Sequence, residues 1–157
     1  LMALHGNNSN VEKFRQYWGA LWNTEWLVAL PQSSQVSGRG NYVWNDMAKV
    51  EVELKDHFAG LCADYGVDPT RTIISGFSKG GQAAIETAFK GWFPVSGFLA
   101  VAPYISDRSR LAPDRDVPVK TRRERRQRSG DPCEAQECDY CNRKNWTHRE
   151  SPALPIR

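Results

Sequence analysis

Thr72-Ile73-Ile74-Ser75-Gly76-Phe77-Ser78-Lys79-Gly80-Gly81 is the stretch that decides the fold. Thr72 to Gly76 is a short apolar, β-branched run, which reads as a buried strand. From Lys79 to about Phe89 the residues favour a helix. The pattern Gly-x-Ser-x-Gly therefore sits where a strand turns sharply into a helix. A serine forced into such a turn adopts strained backbone angles. Gly76 and Gly80, two residues to either side, must lack side chains so that strand and helix can approach. The turn lifts the Ser78 hydroxyl beyond the sheet edge. It also aims the Lys79 N–H and the positive end of the helix at the same point. That strand-and-helix context separates the motif from a plain glycine-rich turn with a surface serine.

Working outward, the same alternation recurs. Leu1-Met2-Ala3-Leu4 is an apolar run ending at His5-Gly6, and it reads as a buried strand. Asn8-Ser9-Asn10 can cap a helix whose apolar face is Val11, Phe14, Tyr17, Trp18 and Leu21. Trp26-Leu27-Val28-Ala29-Leu30 predicts a second buried strand, stopped by Pro31. Residues 32–44 read as a loop. Asn45 or Asp46 opens the longest helix, with Val50, Leu54, Phe58, Leu61, Cys62 and Tyr65 along one side and Gly66 at its end. Gly97 to Ala102 predicts a further strand, closed by Pro103. Continuous apolar strands alternating with helices imply an α/β fold, a mainly parallel sheet with helices on both faces.

The periodicity stops near residue 106. Before Tyr104 lie nearly all the apolar residues; after Ile105 come Arg, Asp, Glu, Pro and Ser, which lowers the mean hydropathy to −0.60. The net charge of +3 conceals a basic run from Lys120 to Arg128. With no aromatic residue interleaved to stack on bases, that run reads as a solvated segment rather than a nucleic-acid surface. No apolar stretch approaches the ~20 residues that span a bilayer, and no secretory leader opens the chain, so a cytoplasmic location is expected. Leu1 lies inside an apolar run, which is consistent with a chain that begins partway through a longer protein. Cys62 falls on an apolar helix face and reads as a buried thiol.

The His5-Gly6-Asn7 turn ends the first strand. In an acyl-transfer site of this architecture such a turn supplies a second oxyanion donor, here from the backbone of Gly6 and Asn7. His5 itself reads as structural, because it sits on the wrong loop for a base. The segments Leu4-His5-Gly6, Leu30-Pro31-Gln32-Ser33-Ser34-Gln35, Trp44-Asn45-Asp46, Asp68-Pro69, Ser75 to Gly81 and Ala102-Pro103-Tyr104 together resemble the phospholipase/carboxylesterase group of α/β-hydrolases, relatives of acyl-protein thioesterases. The resemblance covers residues 1–105, a partial hydrolase domain. Lys79 departs from the family, which usually has a smaller or neutral residue there.

The resemblance implies hydrolysis of a small-molecule ester or thioester through an acyl-enzyme at Ser78, with no metal or cofactor. It also implies a Ser, Asp, His triad in that chain order. The acid is expected about 50 to 60 residues past the serine and the histidine about 30 to 35 later. Asp131 lies 53 residues beyond Ser78, but it follows the basic run and not an apolar strand. The base would fall near residue 165 by that spacing, past Arg157, and within the chain His148 is the candidate. His57 lies mid-helix, before the serine, and reads as a surface residue. Residues 106–157 thus read as an irregular basic tail, with the catalytic domain truncated or frameshifted at its C-terminal end. Two alternatives accompany this reading. One is a catalytically inactive hydrolase-fold binding or regulatory protein. The other is a zinc- or nucleic-acid-binding tail, in which Cys133, Cys138, Cys141 and His148 hold the metal.

Overall fold

The computed structural model describes residues 1–105 and 107–112. Asp131, His148, the basic run and the three late cysteines lie outside the described residues. The chain forms an α/β fold around a parallel sheet. Strand β1 (Met2–Leu4) leads through a turn to a short helix α1 (Val11–Phe14), which continues as a 3-10 helix over Arg15–Leu21. A small antiparallel hairpin, β2 (Val36–Gly38) and β3 (Asn41–Tyr42), precedes the long helix α2 (Met47–Tyr65). Then come β4 (Ile73–Phe77), α3 (Lys79–Lys90) and β5 (Gly97–Val101). The main sheet has the order β1-β4-β5, every pair parallel.

The core follows from the spacing of apolar residues. Met47, Val50, Leu54 and Phe58 recur every three or four positions on α2 and are all buried. They close on Met2, Leu4 and Ile74 from the sheet and on Ala83 and Ala84 of α3. Phe58 stacks on Phe93 with ring centroids 4.4 Å apart, which ties α2 to the segment after α3. Asp46 caps α2 by accepting from the Lys49 N–H, and Gly66 ends it at φ 60°. Cys62 is only half-buried and Tyr65 is exposed, so the last turn of the expected apolar stripe runs past the core.

Further expectations need correction. Trp26 to Leu30 forms no full strand. Ala29 alone bridges to Met2, exchanging bonds of 2.8 Å through the Ala3 N–H and the Leu1 carbonyl. The segment lies on the outer edge of β1, where Trp26 and Leu27 stay exposed. The first amphipathic helix survives for one turn. Beyond Phe14 the backbone tightens to three residues per turn, a 3.6-residue stripe loses its common side, and Tyr17 ends 73% exposed. Residues 32–44, read as loop, contain the hairpin and the fully buried Trp44.

Strand β5 was expected to be buried, and among the described residues it is an edge strand. Phe98 meets Phe89 of α3 edge-on, 5.6 Å between centroids. The row Met2, Ile74, Phe98 therefore faces α3. The alternate row turns to the other face, where Ala3 and Ser75 are buried but Phe77, Leu99 and Val101 are about half exposed. A 3-10 turn, Arg108–Leu111, follows within the stretch expected to be irregular and packs on α3. Among the described residues no helix is long and apolar enough to cross a membrane.

Candidate active site

Ser78 occupies the bend between β4 and α3 with φ 54° and ψ −116°. A positive φ at a side-chain-bearing residue costs about 1–3 kcal/mol and persists only where the surroundings enforce it. The enforcement is visible. A Cβ on Gly76 would overlap the Gly80 carbonyl, and one on Gly80 would run into the His5 carbonyl and lie 2.7 Å from that of Leu4. The two glycines thus let β4, α3 and the end of β1 converge. The Ser78 N–H donates to the Val101 carbonyl at 3.0 Å.

The helix start is unusual in what its serine does not do. Asn10, Asp46 and Asp107, and Asp68 before a 3-10 turn at Pro69–Arg71, each open their element from extended backbone and accept a first-turn N–H with their side chains. Ser78 opens α3 without any side-chain capping bond. Its hydroxyl is therefore not consumed by the helix it begins, and the positive end of α3 is not capped by the serine side chain.

The turn after β1 lies against this bend. A Cβ on Gly6 would lie 2.9 Å from the Phe77 ring and 3.6 Å from the Phe77 carbonyl. Asn7 fixes the turn through its side chain, accepting from the Trp44 N–H at 2.7 Å and donating to Asn45 at 2.7 Å. The Trp44 indole donates to the His5 carbonyl at 2.8 Å. Positive φ recurs at Asn8 (55°), Ser78 and Ala102 (44°), each just past the C-terminal end of β1, β4 or β5. Backbone strain thus gathers at one end of the parallel sheet.

His5 is buried, with Nδ1 2.7 Å from the Gly6 carbonyl and Nε2 3.0 Å from the Gln32 amide. Burial pushes its pKa below the ordinary 6.5, partly offset by the bond to the Gly6 carbonyl. The neutral ring satisfies both contacts: Nδ1–H donates to Gly6 and Nε2 accepts from Gln32. His5 is spent on holding the turn, as its place on this loop implied. His57 is exposed on α2.

Two solved structures are similar to this chain. One is an uncharacterised protein from Bacillus cereus ATCC 10987, 32% identical at a TM-score of 0.61, covering 66% of this chain and 34% of that one. The other is esterase PE8, 24% identical at a TM-score of 0.55, covering 70% of this chain and 60% of that one. The chain shares its fold with an esterase. It spans about a third of the first solved chain and three-fifths of the second. No protein-family model matches it, and no curated protein does.

Within this fold, three features escaped the sequence reading. Trp44 looked like a loop residue, yet it buttresses the His5-Gly6-Asn7 turn. Gln82 and Glu86 are fully buried polar residues on α3. The Lys79 ammonium donates to Gln82 at 2.9 Å, the Gln82 amide donates to Glu86 at 2.8 Å, and Lys90 pairs with Glu86 at 2.8 Å. Their spacing of three, four and four residues was the available signal, since such positions share one helix face. Finally, Ala102-Pro103-Tyr104 closes over the bend: the Tyr104 N–H donates to the Ser78 carbonyl at 3.0 Å.

Proposed function

We propose that the chain is a serine hydrolase of the α/β-hydrolase type, cleaving carboxylic esters or thioesters through an acyl-enzyme at Ser78. The observation that carries this reading is a serine at a helix start, held at positive φ, whose hydroxyl does not cap its helix. Strain of that kind has no structural benefit at an ordinary N-cap. It is accounted for if the oxygen has to project toward a substrate carbonyl. In this scheme Ser78 Oγ attacks the acyl carbon and passes its proton to a base. The N–H groups of Lys79 and of the Gly6–Asn7 turn receive the oxyanion, and the alcohol or thiol departs with the proton. Water then releases the acid. The triad reading assigns the acid to Asp131 and the base to His148, both outside the described residues.

The test is labelling of the full chain by a fluorophosphonate probe, with the modified residue located by peptide mapping. Modification at Ser78 that disappears in Ser78→Ala supports the proposal. Removing a working base lowers turnover by about 10⁴-fold or more, so His148→Ala should nearly abolish ester hydrolysis. An unlabelled chain favours the second reading, an inert scaffold that keeps the bend. That reading draws on one observation: His5 is engaged through both ring nitrogens and His57 is exposed on α2, so the described residues supply no base.

A further inference from the structure

The elbow at Ser78 is held from above as well as from below. The Lys79 ammonium lies 4.9 Å from the centre of the Tyr104 ring, within the range of an attractive cation–π contact. The same ammonium donates to the buried Gln82 carbonyl oxygen. Gln82 cannot swap its amide ends, because its nitrogen faces the Glu86 carboxylate and its oxygen faces the ammonium. Glu86 in turn is anchored by Lys90. The cation is therefore placed in advance by a buried polar row along α3. Tyr104 then returns to the bend through its own backbone, its N–H bonded to the Ser78 carbonyl. That carbonyl also receives the Gln82 N–H at 3.1 Å. The contacts close a ring: Ser78, Lys79, the Tyr104 side chain, the Tyr104 amide, and Ser78 again. Pro103 reinforces it, with its Cα 3.2 Å from where a Cβ of Gly81 would stand.

We propose that Lys79 and Tyr104 form a positioning latch that keeps Ser78 in its strained conformation and so keeps its hydroxyl aimed outward. The competing state is easy to name. Released from Tyr104, Ser78 can relax to extended backbone and cap α3 with its own oxygen, as Asn10 and Asp46 do for their helices. A capping hydroxyl points back at the helix and is lost to chemistry. This accounts for a charged residue at position 79: its backbone N–H serves the oxyanion while its side chain secures the serine before it. The catalytic part of the inference rests on the proposed hydrolase reading; the structural part does not.

The full chain is compared with Lys79→Met, Tyr104→Leu, the double variant, and Tyr104→Phe, which keeps the ring. Two quantities are read: hydrogen exchange of the amide at position 104, and the rate of fluorophosphonate attachment to Ser78. An exposed cation–π contact corresponds to about two- to fivefold in equilibrium. Exchange is expected to speed up by about that factor in Lys79→Met and Tyr104→Leu, and labelling to slow. Lys79→Met also takes the donor from the buried Gln82 oxygen, so only Tyr104→Leu is expected to keep a urea midpoint close to the parent's. The double variant should be no worse than either single one, because both remove the same contact. Tyr104→Phe should keep the exchange rate of the parent chain. Unchanged exchange in both single variants overturns the latch, and so does altered exchange with an unaltered labelling rate. If the parent chain takes no label, the hydrolase reading fails by itself, and exchange at position 104 still decides whether the latch exists.

Discussion

Replacing Ser78 separates the two things that residue does. Alanine removes the hydroxyl and keeps the steric penalty of φ 54°, whereas glycine removes both. Ser78→Gly should therefore raise stability by about 1 kcal/mol, the low end of the cost of such strain, while abolishing labelling. Ser78→Ala should abolish labelling with no such gain. Urea unfolding of the two variants checks this, and a glycine variant no more stable than the alanine one would contradict the strain account. His5 carries a second prediction. Its pKa is depressed in the folded chain, so the unfolded state takes up the proton more readily. The stability contributed by the neutral ring is present above pH 6.5 and is lost as pH falls from there through the folded pKa. The imidazole resonances of His5 should titrate below 6.5, and the urea midpoint should decline over the same interval. A titration at or above 6.5 would contradict the buried, neutral ring.

At the scale of elements, burial divides by strand, with β1 and β4 largely buried and β5 largely exposed. Ile74 is fully buried toward α3, whereas Leu99, beside Ser75 on the opposite face, is 54% exposed. Ile74→Ala should cost about 2–5 kcal/mol, through lost transfer energy and a residual cavity. Leu99→Lys should stay within about 0.5 kcal/mol of the parent chain, since a half-exposed side chain can carry its charge into solvent. Urea midpoints of the pair test the edge position of β5; similar large losses in both would place Leu99 in a core. The sequence placed β5 but not its exposure, for a definable reason. An apolar run states that a strand could be buried on both faces, but not whether a neighbour arrives to cover it. Helix α2 was legible because its cap, its apolar spacing and its terminal glycine agree. The segment after Phe14 was not, because a 3-10 winding depends on how the chain meets its surroundings.

For the whole molecule, the helices and the sheet cohere through a few long-range contacts that no local pattern marks. Phe58 and Phe93, on α2 and beyond α3, are both fully buried and stacked. Phe58→Ala should destabilise by about 3–5 kcal/mol, and the double variant with Phe93→Ala by less than the sum of the two single losses. Strict additivity in a double-mutant cycle would show that the two rings do not stabilise each other. The fold is shared with an esterase over 70% of this chain. The strained turns after β1, β4 and β5 are adjacent because the strands that precede them are parallel and consecutive in the sheet. A parallel sheet brings all its strand ends to one side, so the turns that hold Asn8, Ser78 and Ala102 lie at the same end of the sheet although they are far apart in the chain.

The sequence by itself determined the α/β alternation, the boundaries of α2, α3 and the bend at Ser78, and the need for glycine at positions 76 and 80. These are local matters of spacing, capping and backbone sterics, written in contiguous residues. Only the tertiary structure decided that β5 lies at the edge of the sheet among the described residues, that Trp44 braces the turn at Gly6, that both nitrogens of His5 are occupied, and that Tyr104 closes over Ser78. Each of those depends on which distant segments become neighbours, and proximity across a sheet follows from strand order and burial rather than from any run of letters.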